Sequence, residues 1–237
     1  VSREMVDTTL GLLAGDNPSE AITKLAAMGV DASQMDRSTP DDIVIISFAG
    51  HGWADKQGNF YLVPADGVWP GGVATPTVST LISTAEITRW LRPIDAADIA
   101  LIIDACHSAA SVDAGGFKPG PMGDAGLGQL AYDKGIRILA ATQADDVALE
   151  DSRLRQGLLT FALAGEGITA TGGKADLDGD RRITLDEWLR YATQRLPSLS
   201  GDVRLGRFVP TARGGFEFDD EVTAAPPKLQ EPSLFDF

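Results

Sequence analysis

Residues Ala100 to Ser108 read ALIIDACHS, and this stretch constrains the chain more than any other. Ala100 to Ile103 carry no charge and are too short for a helix that stands alone, so they suit a strand buried on both faces. Polar residues begin where such a strand should end. In an open α/β sheet, ligands gather at the carboxyl ends of the strands, and here that end carries Asp104, Cys106 and His107. Cys106 is the chain's single cysteine. It can neither close a disulfide within the chain nor build a thiolate metal cage, which leaves an inert buried thiol or a nucleophile.

Ile43 to Phe48, IVIISF, has the same design and leads into Ala49-Gly50-His51-Gly52. Glycines on both sides of His51 would allow a sharp turn and a close approach to a substrate. If the two runs are neighbouring parallel strands, His51 and Cys106 emerge at one sheet edge. A thiol beside an imidazole is the minimum for nucleophilic catalysis.

SFAGHG followed about fifty residues later by DACHS resembles the histidine and cysteine motifs of the caspase-like cysteine peptidases, in particular their metacaspase and bacterial branch. The glutamine-alanine-cysteine-arginine run of caspases proper is absent. The resemblance spans about Asp42 to Leu196. It implies a three-layer α/β/α sandwich around a mostly parallel sheet, and an endopeptidase acting through a Cys106 thioester, with His51 as base and then acid. It also implies backbone N–H groups of Gly52 and Cys106 as oxyanion donors, each such donor worth on the order of ~3 kcal/mol. No cofactor is required for that chemistry. A free thiol titrates near ~8.5, so a neighbouring imidazolium would have to favour the thiolate.

In metacaspases the aspartate matching Asp104 lines the pocket for the residue before the cut bond, which implies selection of Lys or Arg. The bland alternative is a capping aspartate. Asp145, Asp146 and Glu150 lie where the family often places pocket acids, and Asp146 is the candidate taken here; a solvated loop face is the alternative. On an extended segment His107 would point away from its neighbour and serve structurally. Asp66 and Asp113 stand at the approximate spacing of the family's activating calcium site.

Asp176 to Glu187, DLDGDRRITLDE, matches a calcium loop at Asp176, Asp178, Asp180, Ile183 and Glu187. Arg181 stands where that pattern wants glycine, and no entering helix is evident. Thr184 and Glu187 also have capping-box spacing, so the alternative is an acidic turn ahead of a helix.

The remaining elements follow from spacing. Helices are expected from Pro18 to Met28, from Ser83 to Pro93, at Leu158 to Ala164, and around Trp188 to Leu196. Strands are expected at Phe60 to Val63 and Ile136 to Ala141, with a turn over Asp55 to Asn59. Pro70 to Thr77 reads as loop, and Ser111 to Gly128, rich in glycine and proline, excludes regular structure. Lys118 there is followed by Pro119, which resists cleavage.

Residues 1–209 read as the peptidase domain and 210–237 as an acidic tail containing Pro and Phe, docked on a surface or partner. The family's usual first strand and helix have no counterpart before Glu20. That strand is therefore expected outside this sequence, either on a missing N-terminal fragment or lost by shortening. A net charge of −14 argues against nucleic acid and fits basic peptide substrates, cations or simple solubility. No run is long enough for a membrane span, and the cytoplasm is the expected compartment. Besides the endopeptidase, two readings stay open: a catalytically idle interaction module and a calcium-responsive regulatory domain.

Overall fold

The computed structural model describes residues 1–55, 57, 59–71, 75–107, 125–141, 150–151, 156–169, 173–205, 208–210, 216–218 and 232–236. The chain opens with α1 (Arg3–Ala14), whose N-cap Ser2 accepts the Met5 N–H and whose end is turned by Gly15 at φ 90°. This helix was not expected from the sequence. Its Leu10 packs into the main core while Leu12 packs against α2 (Pro18–Ala27), so burial on two sides blurs any single apolar stripe.

The long strand β1 (Ile43–Ala54) turns back through Asp55, whose Oδ1 accepts the N–H groups of Gln57 and Asn59, into β2 (Phe60–Val63). Short β3 (Ile82–Ser83) leads into α3 (Thr84–Leu91), which begins with the expected Ser83–Glu86 capping box. Then come β4 (Asp98–His107), α4 (Ala125–Lys134) and β5 (Ile136–Ala140). Helix α4 corrects the expectation that Ser111 to Gly128 is irregular throughout, because it already includes Ala125 to Gly128.

A small hairpin of β6 (Glu150–Asp151) and β7 (Gln156–Gly157) feeds α5 (Leu158–Thr160), which widens into a π-helical stretch over Phe161–Gly167. The 20-residue α6 (Leu185–Arg204) follows, then β8 (Phe208–Pro210), β9 (Phe216–Phe218) and β10 (Ser233–Phe235). Strands β8 and β9 pair with each other. Strand β10 joins the edge of the main sheet antiparallel to β5, so the last part of the 210–237 segment belongs to that sheet.

The main sheet runs β10-β5-β4-β1-β2-β3. Its centre, β5-β4-β1, is parallel, and both flanks are antiparallel. Helices cover both faces of the centre. Ile99, Leu101 and Ile103 of β4 share a core with residues of α1, α3 and α4, while Ala100 and Ile102 share one with α5, its π-helical extension and α6. This is the α/β layering expected for consecutive parallel strands.

β1 is the exception to that coverage. On one side it pairs with β4 from Ile43 to Gly52, whereas β2 pairs with the other side only from His51 to Ala54. Among the described residues, Ile43 to Gly50 therefore has a strand partner on one side only. On the face away from the α1 side, Ile43 is 57% and Ile45 48% exposed.

Candidate active site

The site is built on the ladder between β1 and β4. Val44 packs beside Ile99 and Ile46 beside Leu101, and the same step carried to the end of the strands pairs His51 with Cys106 and Gly52 with His107. Paired strands lie about 4.8 Å apart, so the only cysteine and one of the chain's two histidines are backbone neighbours at the carboxyl end of the parallel centre.

Two details differ from the sequence reading. The glycines around His51 do not turn the chain, because β1 stays extended through Gly50 and Gly52 to Ala54. A Cβ at Gly50 would press on the Phe48 ring at 3.2 Å, so close packing is the constraint met there. Likewise β4 does not stop at Ile103 but carries the ladder through Asp104 to His107. His51 is exposed, and Gly52 is buried between Leu62 of β2 and His107 of β4. The side chains of Cys106 and His107 lie outside the described residues.

Asp104 is paired in register with Ala49, two residues before His51. It is only 7% exposed. Its Oδ2 accepts both the Thr160 hydroxyl at 2.7 Å and the Thr160 backbone N–H at 3.1 Å. The N-cap residue of α5 is Gly157, which offers no side-chain cap, so Asp104 supplies one from another element. The capping alternative is thus realised in the fold. It leaves the carboxylate near the carboxyl end of the sheet, two ladder positions before the pair that holds His51.

Asp113, Asp145, Asp146 and Lys118 lie outside the described residues, and Glu150 is in β6. The Oδ1 of Asp66 accepts the Arg3 N–H at 2.8 Å, which ties the start of α1 to the end of β2.

In the acidic loop, carboxylate oxygens of Asp176, Asp178 and Glu187 lie within 4.8 Å of one another. Asp180 instead turns Oδ1 to the Arg182 N–H. Arg181 takes the left-handed conformation, φ 70°, and Gly179 does so at 77°. The tight turn is therefore made without a glycine at that position, at a cost of about 1 kcal/mol. The capping box is formed as well, with Glu187 Oε2 accepting from Thr184 N and Oγ1. The Thr184 bonds, joined by Leu177 and Asp178 N–H bonds to Oε1, hold the Glu187 carboxyl below the usual range. Ligand geometry and helix cap share the same residue. Asp176, Asp178 and Glu187 are the residues of this loop that could offer oxygen ligands to a hard cation.

Behind the loop sits Glu166, at the π-helical end of α5 and 7% exposed, which the sequence reading missed. It bonds Arg195 Nε at 2.7 Å, Lys174 Nζ at 2.8 Å and the Tyr191 hydroxyl at 3.2 Å. Burial alone would raise the Glu166 pKa, but the Arg195 and Lys174 bonds outweigh it and the net shift is downward. Burial together with the Glu166 charge pushes Tyr191 up to about 12. This cluster locks the acidic loop and α6 to the helix that Asp104 caps. No local signal could have exposed it, since Glu166 and Arg195 are 29 positions apart.

In comparisons with known proteins, the chain matches no protein-family model and no curated protein.

Proposed function

We propose that the chain is a cysteine endopeptidase of caspase-like fold that cuts protein substrates after Lys or Arg. The observation that carries this reading is the register of His51 opposite Cys106 at the carboxyl end of the parallel sheet. Cys106 attacks the peptide carbonyl as a thiolate. His51, exposed at the strand end, takes up the thiol proton and returns it to the leaving amine, and water then hydrolyses the thioester. The backbone N–H groups of Gly52 and Cys106, which the resemblance implies as oxyanion donors, lie within paired strands, Gly52 between β2 and β4, so they reach the oxyanion only if the strand ends part locally. Asp104 receives the basic side chain of the substrate, with Asp146 as a second acid.

The test is covalent labelling with a lysyl- or arginyl-chloromethylketone, read by mass spectrometry. The reading expects one adduct, on Cys106, and its loss in His51→Ala. An unlabelled Cys106, with no turnover of basic peptide substrates, would exclude it in favour of an idle interaction module.

The convergence of Asp176, Asp178 and Glu187 favours a second, compatible reading in which the acidic loop binds calcium and tunes the same enzyme. It predicts that calcium raises the melting temperature by several degrees, and that the rise disappears in Asp178→Asn.

A further inference from the structure

Asp104 does not lie loose at the end of β4. Its Oδ2 takes two hydrogen bonds from one residue, Thr160, through the hydroxyl and the backbone N–H. Gly157 provides the space for that approach: a Cβ built there would stand 2.8 Å from the Asp104 Cγ and closer still to its Oδ2. The backbone of Gly157 has an ordinary φ of −66°, so the glycine answers a need for room and not for a left-handed turn. A buried carboxylate is oriented strongly by such bonds because little water competes with them.

We propose that Thr160 is a positioning residue for substrate selection, which fixes the Asp104 carboxylate toward the basic side chain of the substrate, and that Gly157 keeps open the slot the carboxylate occupies. This assignment rests on the reading of Asp104 given above. Thr160 itself touches neither the substrate nor the reacting atoms. Its hydroxyl holds one carboxylate oxygen against α5, so that the group is set before a guanidinium or ammonium arrives and no ordering cost falls on binding. Valine has nearly the shape of threonine and removes only the hydroxyl bond, while serine retains it.

The experiment uses the full chain carrying Cys106→Ala, which separates binding from chemistry, titrated with N-acetyl-arginine amide and followed by NMR. The parent should bind the probe saturably. Adding Thr160→Val should weaken binding up to about tenfold, the ordering cost of one side chain that is no longer preset, and Thr160→Ser should stay within about twofold of the parent. In the Cys106-containing chain, Thr160→Val should raise KM for an arginyl peptide amide up to about tenfold and leave kcat within about twofold, a split that general loosening of the fold would not give. If Thr160→Val fails to fold, Gly157→Ala carries the same expectation. Equal binding by the parent and the Val or Ala variant, no binding by the parent, or a loss in Thr160→Ser as large as in Thr160→Val would each overturn the assignment. Probe binding that follows this pattern in a chain with no turnover would uphold the assignment and refute the peptidase reading. Turnover that is indifferent to Thr160 would do the reverse.

Discussion

Two groups of carboxylates in the molecule are held in opposite ways. Asp104 and Glu166 are buried and partnered by side chains outside their own element, Thr160 for one and Arg195, Lys174 and Tyr191 for the other. Asp176, Asp178, Asp180 and Glu187 instead bond the N–H groups of their own loop or of the residues just beyond it. A buried acid whose partners come from other elements ties those elements together, and its loss takes an acceptor from buried donors. A less buried acid bonded within its own loop shapes that loop, and water can take over its bonds at lower cost. Position in the fold, more than charge, separates the structural acids from the exchangeable ones.

Removing Glu166 should break this contrast most severely. Glu166→Ala leaves the poorly exposed Arg195 guanidinium without its main partner and should cost about 3 kcal/mol, a fall of about 10 °C in melting temperature by calorimetry. Acid should act next. Glu166, Glu86 and Glu187 all have pKa values lowered in the fold. The stability they contribute is therefore complete above the ordinary glutamate value near ~4.3 and is lost as pH falls through their lower folded values. Melting temperature should hold from neutrality down to about that value and drop below it, and Glu166→Gln should flatten the drop. Thr184→Ala, which removes one half of a capping box, should cost about 1 kcal/mol. Asp178→Asn should change stability by less than about 0.5 kcal/mol without added cation, yet abolish any stabilisation by calcium. A loss as large for Asp178 as for Glu166 would erase the distinction between the two groups.

Much of this was legible in the sequence. The runs at Ile43 and Ala100 made adjacent parallel strands, and both capping boxes formed where Ser83–Glu86 and Thr184–Glu187 are spaced for them. Such features depend on periodicity or on residues three apart. Strand ends were less legible, because a reading based on apolar runs halts at Asp104 while the ladder with β1 continues to His107. Helix α1 was hidden because its apolar residues serve two cores. The Asp104–Thr160 bond spans 56 positions. Its only trace in the sequence is that α5 begins at a glycine with no capping side chain of its own. The turn at Arg181 shows the reverse case, in which a residue disfavoured by the local rule adopts the left-handed conformation because the acidic loop around it supplies the bonds.

The central claim is that His51 and Cys106 work as one unit because their strands run side by side. The most direct measurement is the alkylation rate of Cys106 by iodoacetamide at pH 7 in the folded chain, compared between wild type and His51→Ala, where a single cysteine makes the product unambiguous. The pairing predicts a rate at least about tenfold slower without the imidazole. Equal rates in two equally folded proteins would show that the sulfur does not feel the histidine, and would contradict the account.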